Sequence, residues 1–187
     1  MSRHLFLAGP RIYLRGLERR DVEGNYGFWF NDPNVCRYNA HHRFPYGMEE
    51  LLQYVDGLSG SRDRLVLAII DRDGDRHVGN ISLQGIDPVE RSAEFAIVIG
   101  EQSAWGKGFS KEAARLIIHH GFGTLNLHRI YLGTSTENLP MQRLALAMGF
   151  SLEGRRREAL FKDYRYWDIL EYGLLRQEWQ KNAAGEE

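Results

Sequence analysis

A short glycine-containing loop is the feature that most constrains the fold of this chain. Residues 102–110, with the sequence QSAWGKGFS, follow a strand-like run at 94–99 and precede a helix-like run at 110–122. The first N–H groups of a helix lack intrahelical partners, and the helix dipole favours negative charge at that end. Gly106 and Gly108 are small enough to let backbone N–H groups close around a phosphate. The loop therefore predicts a binding site for the pyrophosphate of a nucleotide-like cofactor.

Length and composition predict one globular domain. The chain has 187 residues, of which 43% are hydrophobic and 26% are charged. A chain of this size can bury a substantial core without support from metals or disulfides. We therefore expect a single domain at 1–181, followed by a disordered tail at 182–187.

Charge and cysteine content limit the partners and the compartment. A net charge of −1 argues against a protein that wraps nucleic acid, since such binding needs many basic contacts to phosphate. Cys36 is the single cysteine, which excludes an internal disulfide and fits a reducing cytoplasm. The apolar patch at 5–8 is too short for a signal peptide or a membrane span. We expect a cytoplasmic protein with no nucleic-acid or membrane partner. His41 and His42 lack a third ligand at a recognisable spacing, so no metal site is predicted.

Hydrophobic periodicity predicts the first half of the fold. A strand is expected at 11–17, and helices are expected at 19–31 and 48–58. The apolar runs at 65–70 and 77–83 flank an Asp-Gly turn, which is typical of a hairpin.

The second half alternates strands and helices. The predicted elements are a strand at 92–99, a helix at 110–122 with Ser110 as its N-cap, a strand at 128–134, a helix at 141–148 and a hairpin formed by 153–161 and 166–174. If the strand after the loop helix joins the sheet beside the strand before it, that helix is a right-handed crossover between parallel strands. The predicted class is α+β, with a mixed, mostly antiparallel sheet and helices on both faces.

Two common phosphate-binding loops do not fit residues 102–110. A Walker A loop requires Ser or Thr after its Gly-Lys pair, but Lys107 is followed by Gly108. A dinucleotide fingerprint requires a third glycine where Lys111 stands, and it also requires parallel strands before it. The loop must therefore bind its cofactor in another way.

A series of short motifs in order along the chain carries a resemblance to a known family. The motifs are Asn31-Asp32-Pro33, Val78-Gly79-Asn80, Ala93-Glu94-Phe95, Trp105-Gly106-Lys107-Gly108, Asn126-Leu127-His128-Arg129, Asn138 with Gly149-Phe150, and Tyr166 with Asp168. The chain resembles the GNAT superfamily of N-acetyltransferases, in the branch of ribosomal-protein N-terminal and spermidine acetyltransferases. The resemblance implies a single GNAT-like domain with one parallel, splayed strand pair. It also implies acetyl-CoA as the donor substrate.

The resemblance further implies the residues that bind the cofactor. Ile97, Val98 and Ile99 are expected to bond the pantetheine amides as a neighbouring strand does. The pyrophosphate is expected to lie within a set of six residues: Trp105, Gly106, Lys107, Gly108, Phe109 and Ser110. Asn138 is expected to fix the amide or thioester end. Arg143 is expected to meet a CoA phosphate, with a surface salt bridge as its alternative.

Amine acetylation needs a base, because an alkyl ammonium has a pKa of about 10. Glu94 is the predicted catalytic base, acting through a water, and its alternative is an ion pair with Arg91 or Arg129. A backbone N–H near Val98 is expected to polarise the carbonyl. In the family the proton donor is a tyrosine or a serine after the asparagine, and Ala145 and Met141 stand at those positions here.

Tyr166 is therefore the predicted catalytic acid, with Tyr164 as a second candidate and water as a further source of the proton. The alternative for either tyrosine is an aromatic side chain packed on a hairpin.

The acceptor is predicted only as a small-molecule or peptide amine. Residues 36–46, which line the acceptor mouth in the family, include Arg37, Arg43 and two histidines. A basic segment disfavours a polyamine and favours an amine that also carries an anion, such as a nucleotide-linked amino sugar. The missing proton donors leave a second hypothesis, an acyl-CoA-binding module with little or no turnover. The oligomeric state stays open, with a homodimer as one alternative.

Overall fold

An eight-stranded sheet forms the centre of the protein in the computed structural model, which describes residues 5–184. The strands are β1 (Leu7–Ala8), β2 (Ile12–Gly16), β3 (Leu65–Asp71), β4 (Arg76–Asp87), β5 (Ser92–Ile99), β6 (Arg129–Ser135), β7 (Ser151–Lys162) and β8 (Arg165–Leu175). They lie in the order β1-β2-β3-β4-β5-β6-β8-β7, and every neighbouring pair is antiparallel except β5 and β6. The predicted α+β class and mixed, mostly antiparallel sheet are therefore confirmed.

Helices cover both faces of the sheet. They are α1 (Arg19–Glu23), α2 (Tyr26–Trp29), α3 (Met48–Asp56), α4 (Phe109–Gly123), α5 (Leu139–Ala147) and α6 (Arg176–Ala184). Leu14 of β2 faces the main core with α4, whereas its neighbour Arg15 faces the other way and pairs with Asp21 of α1. No helix in the described part of the chain is long and apolar enough to cross a membrane.

The main core fixes the direction of each side chain on β5. Ala93 and Phe95 are buried in the same cluster as Ala113 and Ile117 of α4. Because successive side chains of a strand alternate between faces, Glu94 points away from α4. The strand before the loop thus presents its apolar side to α4 and Glu94 to the face that carries α1.

The structure corrects two of the predicted helices. The expected helix at 19–31 is the two short helices α1 and α2, because Gly24 after α1 has an extended backbone. The N-cap of α4 is Gly108 and not Ser110, since Gly108 has a φ of +79° that an L-residue adopts only with strain.

The end of the chain also differs from the prediction. The α5 helix begins at Leu139, two residues earlier than expected, and α6 was not predicted. Residues 182–184 of the predicted disordered tail are the end of α6, and 185–187 lie outside the described residues.

Candidate functional site

The parallel strands β5 and β6 separate after three residue pairs. Ser92 pairs with Arg129, and the register ends with Glu94 opposite Tyr131. Beyond that point β5 continues to Ile99 and β6 continues for four residues, yet the two strands no longer pair. The sheet therefore contains a wedge-shaped gap whose narrow end is at Glu94.

Backbone groups of β5 line one side of this gap. Gly100 N–H donates to the Val78 carbonyl at 3.0 Å. Because backbone groups alternate in an antiparallel pair, those of Val98 face β4, whereas those of Ile97 and Ile99 face the gap. The Trp105 indole N–H donates to the Ile99 carbonyl at 2.8 Å. Ile97 thus offers both an N–H and a carbonyl to a ligand in the gap, and Ile99 offers its N–H.

The glycine loop forms a cradle of free N–H groups at the wide end of the gap. Gly106 and Gly108 have φ values of +74° and +79°. Five N–H groups donate to no acceptor among residues 5–184, and they belong to Gly106, Gly108, Phe109, Ser110 and Lys111. Three of them open helix α4, where the dipole adds positive potential. The cradle is therefore suited to a phosphate or pyrophosphate.

Asn138 lies across the gap from the loop, three residues beyond the end of β6. It caps α5, because its side-chain oxygen accepts the Met141 N–H at 3.2 Å. Its side-chain amide donates to no group in the described chain and is free for a ligand carbonyl. Arg143 is exposed and forms no ion pair with any described residue, so the alternative of a surface salt bridge is not observed there.

Glu94 is an exposed carboxylate at the narrow end of the gap. Glu94 forms no ion pair with Arg91 or Arg129, the two alternatives predicted for it. Arg91 instead donates to the Asn126 carbonyl at 2.8 Å and to its side-chain oxygen, and Arg129 pairs with Glu153. Glu94 has no ion pair with another residue of the described region and is available for chemistry.

Tyr166 lies far from Glu94. Its ring packs on Phe161 at the tip of the β7–β8 hairpin, with the ring centroids 4.9 Å apart. Tyr131, the partner of Glu94, aligns with Gly173 of β8, seven residues from Tyr166. At a rise of about 3.3 Å per residue, this separation is roughly 23 Å along the strand. The structure therefore does not bring the two predicted catalytic residues together.

The predicted acceptor segment, residues 36–46, is docked onto the tip of the same hairpin. The Lys162 ammonium donates to the carbonyls of Cys36 at 2.7 Å and Asn39 at 3.3 Å. The Arg43 guanidinium donates to the Phe161 carbonyl at 3.4 Å. The segment and the hairpin thus form one wall, on the side of the sheet that carries Glu94.

The sequence model of the GNAT acetyltransferase domain matches residues 11–151. The chain belongs to the GNAT family of acetyltransferases. It is 30% identical over 171 residues to the uncharacterized N-acetyltransferase p20 of Bacillus licheniformis, a match that covers 90% of this chain and 95% of the relative. It is 28% identical over 168 residues to the spermidine N(1)-acetyltransferase of Escherichia coli K12, covering 90% and 88%.

A solved structure has the same fold as this acetyltransferase. Spermidine N-acetyltransferase from Vibrio cholerae, crystallised with CoA and spermine, superposes with a TM-score of 0.83 at 28% identity, over 92% of this chain and 99% of that one. The predicted GNAT family is therefore confirmed, and the relatives include spermidine acetyltransferases as well as a putative ribosomal N-acetyltransferase of Bacillus subtilis, as the predicted resemblance to both groups implied. The chain is an acyltransferase that depends on acetyl-CoA.

Two features of this acetyltransferase site were missed in the sequence. Tyr131 stands directly beside Glu94 on the neighbouring strand, and the predicted parallel pairing could have indicated it. Arg11 and Glu112 form an ion pair across the loop, although they are 101 residues apart. No local pattern connects such distant residues.

Proposed function

We propose that this acetyltransferase transfers the acetyl group of acetyl-CoA to a primary amine by direct attack of the amine on the thioester. The observation that carries the proposal is the gap between β5 and β6 with five free N–H groups at its wide end. A long ligand with an amide-containing arm and a pyrophosphate fits this arrangement, because the arm adds to β5 like a strand. The bound donor supplies an activated acyl group.

The chain offers a contact for each part of such a donor. Ile97 and Ile99 present backbone groups to the pantetheine arm, and Val98 contributes only its side chain. The pyrophosphate is bound by the loop from Trp105 to Ser110 through its free N–H groups, including that of Phe109, whereas the Lys107 N–H donates to the Ala104 carbonyl at 3.4 Å. The free amide of Asn138 donates to a carbonyl of the arm. Arg143, being exposed and unpaired within the described residues, binds a CoA phosphate.

Glu94 is the proposed base, acting through a water. It lies at the narrow end of the gap and has no competing cation among the described residues. When the amine nitrogen bonds to the carbonyl carbon, the amine proton passes to this carboxylate and the C–S bond breaks. A thiol pKa of about 8.5 allows water to protonate the leaving thiolate, so no side-chain acid is required. Tyr166 remains a candidate acid only if the hairpin moves.

The acceptor is proposed to be a protein N-terminus or a small-molecule amine. Arg37 lies over the Tyr38 ring and stays exposed, so it favours an acceptor that also carries an anion, such as an amino sugar nucleotide. The likeness to spermidine acetyltransferases supports a polyamine instead. The exposed carboxylate of Glu94 also attracts a cationic amine.

A two-step experiment tests this proposal. Calorimetric titration with acetyl-CoA first measures donor binding, and the absence of binding at high concentration would end the proposal. An amine panel is then assayed by release of free CoA thiol, with spermidine, an amino sugar nucleotide and a peptide N-terminus as its members. Thiol release that depends on an acceptor identifies the acceptor class. Binding without release from any amine would favour a donor-binding module with no turnover.

A further inference from the structure

Glu112 in the first turn of α4 holds the start of β2. One of its carboxylate oxygens accepts the N–H groups of Arg11 at 2.9 Å and Ile12 at 3.1 Å. The other accepts the Arg11 Nε–H at 2.9 Å. The Glu112 side chain is only 11% exposed, whereas that of Arg11 is 55% exposed. Two of these hydrogen bonds therefore fix the backbone at the start of β2, and the third fixes the Arg11 guanidinium next to the loop.

The rest of the Arg11 guanidinium binds the loop backbone. One terminal nitrogen donates to the Lys107 carbonyl at 2.8 Å, and the other approaches the Gly108 carbonyl at 3.4 Å. In a trans peptide unit the carbonyl and the following N–H point in opposite directions. The Lys107 carbonyl, held by Arg11, therefore directs the Gly108 N–H into the cradle. The Gly108 carbonyl, which also accepts the Glu112 N–H at 3.3 Å, directs the Phe109 N–H the same way.

We propose that Arg11, held by Glu112, is a positioning residue that orients the N–H groups of the pyrophosphate loop. This inference rests on the proposed function of that loop. Fold stability alone does not explain the ion pair between Arg11 and Glu112, because a half-exposed ion pair contributes little to the free energy of folding. A preorganised anion site instead requires peptide units in fixed orientations, and the planar guanidinium of Arg11 contacts two adjacent ones. The ammonium of lysine cannot reproduce this pair of contacts.

The test compares Arg11→Lys, Glu112→Gln and the double variant with two donors. Acetyl-CoA carries the pyrophosphate, and S-acetylpantetheine lacks it. We expect Arg11→Lys to raise the KM for acetyl-CoA about tenfold with kcat unchanged, since misdirected N–H groups weaken charge-assisted hydrogen bonds. The kcat/KM for S-acetylpantetheine should not change. The double variant should be no worse than Arg11→Lys, because the two residues act as one unit.

Arg72→Lys is the matched control. Arg72 donates to the carbonyls of Gly9 and Ile12, which flank the same segment, but it does not contact the loop. It should leave both donors unaffected. An unchanged KM for acetyl-CoA in Arg11→Lys would overturn the proposal, and so would equal losses with both donors. If the proposed function of the loop were wrong, the wild-type enzyme itself would not prefer acetyl-CoA to S-acetylpantetheine, which distinguishes that failure from failure of the Arg11 proposal.

Discussion

Replacing Gly106 by alanine separates backbone strain from phosphate binding. Gly106 has a φ of +74°, and a Cβ atom added to it meets no atom within 4 Å. Gly60 has the same φ and the same open surroundings, but it lies in the turn after α3. A left-handed conformation costs an L-residue about 1 to 2 kcal/mol. Both variants should therefore lose the same free energy of unfolding, about 1 to 2 kcal/mol.

Their affinities for acetyl-CoA should differ. In the Gly106→Ala variant the strain that remains also shifts the loop backbone, which turns at least one free N–H away from the pyrophosphate. A hydrogen bond to a charged group contributes about 1.5 to 3 kcal/mol. Because 1.4 kcal/mol corresponds to a tenfold change, the Kd should rise about 10- to 100-fold. Gly60→Ala should bind as the wild type does.

Denaturant unfolding without ligand measures the free energy of unfolding of each variant, and calorimetric titration measures its Kd for acetyl-CoA. Equal affinities in the two variants would refute the reasoning, because the loop N–H groups would then not bind the pyrophosphate. A matching loss in Gly60→Ala would instead assign the effect to general destabilisation.

Three further predictions concern single side chains. Glu94→Gln should lower kcat about 100-fold with less than a twofold change in acetyl-CoA affinity, and full activity would place the base elsewhere. Tyr166→Phe should change kcat less than twofold, whereas a large loss would show that the hairpin closes over the thioester. Burial lowers the pKa of His77, so the unfolded chain binds more protons below about pH 6.5 and stability falls as the pH drops from 7 to 5. His77→Gln should reduce that slope by up to about 1.4 kcal/mol per pH unit, and identical slopes would exclude a contribution from His77.

Local patterns were enough to predict most of the fold. Alternating apolar residues indicated β2, and the Asp-Gly turn indicated the β3–β4 hairpin, because each signal lies within a few residues. The break between α1 and α2 was missed, since it depends on the extended backbone at Gly24. The start of α4 was misassigned because Ser110 is a common N-cap residue, while the positive φ of Gly108 is visible only in the structure.

The candidate site was less predictable, because it depends on direction and distance. The loop and β5 were indicated by motifs. Val98 was expected to bond the pantetheine amides, but the alternation of backbone groups along β5 turns its N–H and carbonyl toward β4. Tyr166 was proposed for its chemistry, and only the register of β8 reveals its distance from Glu94. The contact between Arg11 and Glu112 closes a long loop of chain, which no local pattern encodes.

The gap between β5 and β6 has a consequence for the lifetime of the protein. Only three residue pairs, all between β5 and β6, join the two halves of the sheet. The ligand-free enzyme therefore has two internal strand edges with unpaired backbone groups, one on β5 and one on β6. A donor that fills the gap binds the folded state alone. Its stabilisation reaches about 2.7 kcal/mol when its concentration is 100 times the Kd. We therefore expect the enzyme to resist proteolysis when cellular acetyl-CoA is abundant and to be degraded faster when the metabolite is scarce.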